Sequence, residues 1–523
     1  MTRPLLLLAL WALPLGCAPS FQPILPPLSS TPESPTPKRY APPAAWILGP
    51  IYGTVCPLGV PCQAFAGATM RDEVNYILDN LSLYDIPISA FHFDGNKWAT
   101  GSCDWDLGDP LIERLRGNRQ RALLHYWGGC TTTADFDRLY AKLGNVLGGL
   151  YLDDTYFGLI ADDAMAKLAT DWMQTRLPRV GEVVMKNYNN GVMTSTTAGL
   201  AAYAHTAYVN DLTSDAAGMR IGIQRIFESS ALFPAPLNEF TAYDYTGGRA
   251  DEEIYFRRLH FGAMQIVMDH SPNANADPWA HGYNPILLTM FKYYSWLHHE
   301  LVPYLHSYDF LAYETGQPIL RDRNPQDLST KIGDELFVRY IAEVGVKTVP
   351  VDLPEGEWID YWDESRLFRG PVSISLYAPP GREPIFIRNG ALIPLRVSRA
   401  YTGHGTPESA DSLTLLVYPH GGSSFQYHDE ERRRWFPFAA QAEGDRLALR
   451  AASDFGRPLL YRVARWPISP RRVSQRGASI LINSDDGDPL PQLSSEPAVN
   501  GSRGSAWFYD ERAARVIIKH SPP

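Results

Sequence analysis

Gly149-Leu150-Tyr151-Leu152-Asp153-Asp154 is a short apolar run that stops at a carboxylate, which an ordinary core strand does not choose. Runs of the same kind recur on both sides of it: Trp46–Gly53, Pro87–Asp94, Ala122–Trp127, Val183–Lys186, Ala207–Asp211, Phe240–Asp244 and Ile266–His270. Helix-prone segments separate most of them. Met70–Leu83 sets Val74, Ile77, Leu78 and Leu81 at three-to-four spacing behind the start signals Thr69 and Asp72. Ala164–Arg176 and Ala216–Ser229 repeat the pattern, and Ala250–Met264 opens on Asp251-Glu252-Glu253, acids that a helix dipole favours at its N-terminus. A last helix, Ile286–His299, is expected to end before Pro303. This alternation predicts an α/β fold, a (β/α)8 TIM barrel over residues 45–305, with chemistry at the C-terminal ends of the strands.

Beyond the last helix the helical period gives way to short β-branched and aromatic runs punctuated by Gly and Pro. Leu336–Tyr340, Thr348–Leu353 and Pro384–Arg388 read as strands of a proximal β-sandwich, residues 306–396. Leu413–Tyr418, Ser424–His428, Leu447–Arg450, Pro458–Ala464 and Val516–Lys519 read as strands of a distal one, residues 397–523, with Asn483–Gly504 as a polar loop.

At 523 residues the chain is too long for a single core, and 45% apolar and 12% aromatic residues are enough to fill several. A net charge of −10 and the lack of any Lys/Arg-rich run argue against nucleic acid, whose affinity begins with phosphate neutralisation. At the N-terminus, Arg3 precedes the apolar stretch Leu5–Leu15, which closes on Leu15-Gly16-Cys17. This resembles a bacterial lipoprotein signal, which implies an extracytoplasmic, cell-envelope location with membrane attachment only through a lipid on Cys17. Ala18–Pro43, crowded with Pro, Ser and Thr, reads as a tether. The four remaining cysteines agree with export: Cys56 and Cys62 flank a Pro/Gly loop, Cys103 and Cys130 follow neighbouring strands, and two local disulfides are expected. The competing reading, a metal site, has no CxxC pair or His at ligand spacing behind it, so neither metal nor cofactor is expected.

In a barrel of this kind Asp94, Asp153, Asp211 and Asp244 converge on one pocket rimmed by Trp98, Trp127, Lys186 and His270. Carboxylates crowded among aromatics are what glycosidic cleavage requires. The motifs resemble glycoside hydrolase family 31 from Trp46 nearly to the end of the chain. The family's nucleophile motif W-x-D-M-N-E is matched by Tyr151-Leu152-Asp153-Asp154-Thr155-Tyr156, and its acid/base motif W-x-G-D by Tyr208-Val209-Asn210-Asp211. Its H-D-I-G-G-F is matched by Tyr243-Asp244-Tyr245-Thr246-Gly247-Gly248. Arg257 with Gly262-Ala263 and His270, then Leu301-Val302-Pro303-Tyr304, continue the series. Leu353-Pro354-Glu355-Gly356-Glu357-Trp358, Pro384–Gly390 and Phe425–Asp429 resemble its C-terminal modules. Family members ordinarily begin with a large β-sandwich; here the tether leads straight into the first barrel strand, and a more open cleft is expected.

The resemblance implies a retaining α-glycosidase acting on a terminal α-linked sugar of an oligosaccharide or polysaccharide. A retaining enzyme needs an ionised carboxylate to attack the anomeric carbon and a protonated one about 5 Å away to release the leaving oxygen. Asp153 takes the first role. Its rival Asp154 points to the other side of a strand, because successive residues alternate. Asp211 takes the second role, with Tyr208 and Val209 as apolar neighbours that would raise its pKa; its rival Asp215 reads instead as an N-cap. Asp94, Trp98, Trp127, Lys186, Asp244 and His270 are the expected substrate contacts. Trp98, Trp127 and Trp279 are the candidate stacking platforms. Arg257 is expected to be structural. The alternative is a catalytically impaired, carbohydrate-binding lipoprotein on the same fold.

Overall fold

The computed structural model describes residues 44–54, 69–93, 107–126, 132–152, 163–176, 182–186, 206–208, 213, 215–230, 235–237, 251–272, 276–280 and 283–521. Within them the apolar runs become one parallel sheet. Its strands are β1 (Ile51–Thr54), β2 (Ala90–Phe93), β3 (Arg121–Tyr126), β4 (Leu147–Leu152), β5 (Glu182–Lys186), β6 (Thr206–Tyr208), β7 (Ala235–Leu237) and β8 (Asp269–His270). They are ordered β7-β6-β5-β4-β3-β2-β1-β8, and every ladder is parallel. The last strand thus returns to the first, Ile51 opposite Asp269 and Tyr52 opposite His270. A β7–β8 ladder is not among the described pairings.

Parallel neighbours need crossovers, and helices supply them. α1 (Met70–Leu83) lies between β1 and β2, α2 (Asp109–Gly117) between β2 and β3, and α3 (Thr133–Leu143) between β3 and β4. α4 (Asp163–Arg176), α5 (Ala216–Ser229) and α6 (Glu252–Ala263) precede β5, β7 and β8, and α7 (Pro285–Thr315) follows β8. The expected start of α1 is confirmed by a capping box: Thr69 accepts from the Asp72 amide, and the Asp72 carboxylate accepts from the Thr69 amide at 2.8 Å. The expected cap of α5 is also present, Asp215 accepting from the Gly218 amide at 2.7 Å.

Several boundaries differ from expectation. The first strand begins at Ile51 and not at Trp46, because Ala45–Leu48 form a 3-10 turn and Pro50 has no N–H to give a ladder. The strand that pairs with β6 is Ala235–Leu237, upstream of the run Phe240–Asp244, which lies outside the described residues. Its Pro236 marks it against a strand reading. Helix α7 does not stop before Pro303 but runs through it to Thr315, where Gly316 closes it at φ 75°. Burial explains the continuation: Leu301–Asp309 are all buried, and the Ser307 hydroxyl bonds the Pro303 carbonyl at 2.7 Å.

After α7 come three further sheets. Strands β9 (Leu320–Asn324), β10 (Ser329–Ile332), β11 (Leu336–Arg339), β12 (Thr348–Asp360), β13 (Leu367–Tyr377) and β14 (Ile385–Arg388) form an antiparallel sheet ordered β13-β12-β14-β11-β10-β9. A five-stranded sheet is built from β15 (Leu392–Leu395), β16 (Leu413–Val417), β20 (Leu459–Val463), β25 (Arg515–His520) and β24 (Ala506–Asp510), in that order. The last, of six strands, runs β17 (Gly422–Asp429), β18 (Arg434–Glu443), β19 (Arg446–Ala451), β22 (Ser479–Ile482), β21 (Val473–Arg476) and β23 (Asp488–Pro489). Asn483–Gly504, expected to be a loop, carries β23 and the short helix α8 (Glu496–Asn500). The Asn500 amide reaches Thr406 at 2.9 Å and Ser409 at 3.0 Å.

Helix α7 is the common support. Its Tyr304 and Tyr308 hydroxyls donate to Glu335 beside β11, its Glu300 accepts from Thr402 and pairs with His404, and its Ser307 meets the His428 amide on β17. One apolar cluster accordingly runs from Ile47, in the 3-10 turn before β1, to Ile518 in β25.

Candidate active site

Parallel strands bring their C-terminal ends to one edge of a sheet, and the residues picked out in the sequence follow those ends. β2 ends at Phe93, one residue before Asp94; β3 ends at Tyr126, before Trp127; β4 ends at Leu152, before Asp153; β6 ends at Tyr208, before Asp211. Lys186 is the last residue of β5, and His270 the last of β8. Asp94, Trp98, Trp127, Asp153, Asp154, Asp211 and Asp244 themselves lie outside the described residues, as do Cys17, Cys56, Cys62, Cys103 and Cys130.

Just below that edge the described strands turn a polar group inward. His92 on β2 pairs through Nδ1 with the Asp269 carboxylate on β8 at 3.2 Å, both side chains fully buried. The Ser271 hydroxyl donates to the other Asp269 oxygen at 3.0 Å and lies 3.5 Å from His92 Nδ1. Tyr151 on β4 stacks on the His92 ring, centroids 4.8 Å apart and planes at 24°. Gly53 on β1, opposite His92 in the ladder, makes this closeness possible: a Cβ there would sit 2.6 Å from Ser271 Oγ and 2.8 Å from His92 Cβ. A buried carboxylate holding an imidazole in this way fixes its orientation. Sequence reasoning missed His92, Asp269 and Ser271. The available signal was a polar residue two places before a strand-end aspartate, as in His92-Phe93-Asp94.

His270 takes the opposite face of β8, as its place between Asp269 and Ser271 requires. It is 1% exposed, its Nε2 lies 3.0 Å from the Tyr255 hydroxyl of α6, and its ring packs against Tyr52 and against Phe291 of α7. In this structure it is a packing residue between sheet and helices. Trp279 stacks with Tyr52 at 5.7 Å and with Tyr84 at 6.2 Å, and Tyr52 in turn donates to the buried Asp277. Burial, and after it the Asp277 charge, raises the Tyr52 hydroxyl pKa well above its usual value, so it stays a donor. Arg257 is fully buried between α6 and the first antiparallel sheet, paired with Glu383 at 3.2 Å, which makes it structural. No group of three or more metal-ligating side chains occurs among the described residues, and none of their helices is long and apolar enough to cross a membrane.

Residues 314–393 match the Glycosyl hydrolase family 31 C-terminal domain. An isomaltosyltransferase of Sporosarcina globispora is 25% identical over 211 residues, 36% of this chain and 19% of its own length. An alpha-xylosidase of Saccharolobus solfataricus is 24% identical over 287 residues, 50% of this chain and 37% of its own. Among solved structures, a cycloalternan-forming enzyme from Listeria monocytogenes in complex with a pentasaccharide substrate superposes with a TM-score of 0.71 at 16% identity, over 93% of this chain and 54% of that one. The chain therefore spans well under two thirds of these relatives. The fold is mixed α/β, a parallel sheet followed by sheets that are antiparallel but for the β16–β20 ladder, in agreement with that structure. The match to that C-terminal domain and the sequence relatives together make the chain similar to glycosyl hydrolase family 31.

Proposed function

We propose that this chain is a retaining α-glycosidase that removes a terminal α-linked sugar by double displacement, with Asp153 as nucleophile and Asp211 as acid/base. The observation that carries the reading is the alternation of β4. Tyr151 faces the buried His92–Asp269 pair, and a period of two carried on from it gives Asp153 that same side and Asp154 the other. The same count along β2 gives Asp94 the side of His92, where an ionised carboxylate would accept two sugar hydroxyls. The parallel sheet closes, in this reading, into a (β/α)8 barrel by β7 meeting β8, over residues 45–305, with β-sandwich modules over 306–396 and 397–523. Trp98, Trp127, Lys186 and Asp244 complete the sugar site. Export with a lipid on Cys17, and disulfides within Cys56, Cys62, Cys103 and Cys130, belong to the same proposal.

Double displacement needs no cofactor: Asp153 forms a bond to the anomeric carbon as Asp211 protonates the departing oxygen, and Asp211 then deprotonates an acceptor whose oxygen attacks that carbon and releases the Asp153 carboxylate. Water as acceptor gives hydrolysis. The isomaltosyltransferase and the cycloalternan-forming enzyme among the relatives favour a second reading, in which a sugar hydroxyl is the acceptor. Release of 4-nitrophenol from α-glucoside, α-galactoside, α-xyloside, α-mannoside and α-N-acetylgalactosaminide tests the activity, with products analysed for longer saccharides. Release by the wild type that is lost in Asp153→Asn supports the proposal; a folded protein that binds glycans yet is silent on every substrate points to the carbohydrate-binding alternative.

A further inference from the structure

A cavity of about 590 Å³ opens at the other edge of the parallel sheet, where its strands begin. Its walls are the 3-10 turn before β1, the residues leading into β2 and β3, one face of α7, and the β17–β18 hairpin. Four arginines line it, and three of them come from three directions: Arg119 before β3, Arg396 after β15 and Arg433 in the hairpin. None of the three makes an ion pair among the described residues. Of the two carboxylates of the lining, Glu430 accepts from the Ala45 amide at 3.1 Å and lies in the field of Arg396 and Arg121, while Glu431 pairs with Arg457 outside the cavity. Arg121, also in the wall, gives a hydrogen bond to the Asn145 carbonyl. The cavity thus sets four guanidinium groups against two carboxylates, an excess of positive charge on a chain whose net charge is −10.

Its floor is of a different kind. His299 and His306, two turns apart on α7, and His428 on β17 line it, with Phe310 stacked on His428 at 3.6 Å between centroids. His306 is 3% exposed; its Nε2 meets His428 Nδ1 at 3.2 Å, while its Nδ1 has no partner among the described residues, nor has His299 Nδ1. Burial keeps all three imidazoles neutral, His299 and His306 being pushed down to about 3 and His428 to about 4. A buried ring nitrogen left unpaired calls for a partner. A hydroxyl both donates and accepts, so it satisfies either tautomer. Guanidinium groups, for their part, select carboxylate or phosphate oxygens in fork geometry.

We propose that this cavity is a second ligand site, separate from the strand-end site, for a small hydroxylated anion such as a uronate or a sugar phosphate. The arginines take the anionic group and the histidine floor takes the hydroxyls. Calorimetric titration of the full chain with glucuronate, glucose 6-phosphate, inorganic phosphate and glucose tests it. One glucuronate or glucose 6-phosphate is expected to bind per chain at about 1 mM or below. The double variant Arg396→Gln/Arg433→Gln should weaken it at least about tenfold. Both positions are exposed, so an unchanged Tm will show that the fold is intact. Asp153→Asn should leave this binding as it is, which separates it from the sugar site. Binding that ignores the arginine variants, or glucose binding as well as glucuronate does, would overturn the proposal. Inorganic phosphate binding as tightly as the sugar phosphate would overturn the role given to the histidine floor.

Discussion

Gly53 is the residue on which the buried polar group turns, since only a missing side chain lets Ser271 and His92 close on Asp269 across β1. Gly53→Ala would force a Cβ to within 2.8 Å of the His92 carbonyl as well, and backbone cannot swing aside as a side chain can. We expect a loss of about 1–3 kcal/mol in urea unfolding, the usual cost of overpacking; an unchanged midpoint would mean that the two strands are not so close. Asp211 and Asp215 separate at the same scale. Asp215 bonds the Gly218 amide, and this bond is the main cause of its lowered pKa. Asp215→Ala should therefore cost about 1 kcal/mol of stability, the usual worth of a cap, and leave glycosidase activity in place. Asp211→Asn should do the reverse, cutting kcat by roughly 10²–10⁴. Activity lost in Asp215→Ala and kept in Asp211→Asn would exchange their roles.

Among the elements, α1 and α5 were legible because a cap and a spaced apolar face coincide there, and they have the boundaries read from Thr69 and Asp215. Strands were legible as apolar runs, while their ends were blurred by what apolar runs share with turns, as in the Trp46–Leu48 stretch of the 3-10 turn. Proline misled in both directions. Pro236 and Pro303 are normally breakers, but β7 and α7 keep them because tertiary pairing and burial outweigh local preference. In β12, Pro354 is absorbed where the register against β13 shifts between Leu353 and Gly356, so the strand runs on to Asp360 and not only to Leu353. The strand-end aspartates were legible because they interrupt apolar runs. The inward group below them was not, because His92, Asp269 and Ser271 are brought together from β2 and β8, strands far apart in sequence that flank β1 and meet across it.

For the whole molecule, α7 ties the parallel sheet to the sheets that follow, and one of its ties titrates. Burial, aided by the neighbouring Asp334, raises the Glu335 pKa from 4.5 to about 7, against the hydrogen bonds from Tyr308 and Tyr304 and the charge of Arg321. The folded state then holds a proton that the unfolded chain releases between about pH 4.5 and pH 7, so stability falls as pH rises through that window. The fall should be on the order of 1–3 kcal/mol, and Glu335→Gln, which stays neutral, should flatten it. Equal slopes in the two proteins would remove Glu335 from the account. The central claim is that the chain catalyses through Asp153, and the most direct measurement of it is peptide mass mapping after reaction with a 5-fluoro-glycosyl fluoride of the sugar it cleaves. One glycosyl group on the peptide that contains Asp153, absent from the Asp153→Asn variant, is the predicted result. A label on another carboxylate, or turnover with no label on Asp153, would contradict it.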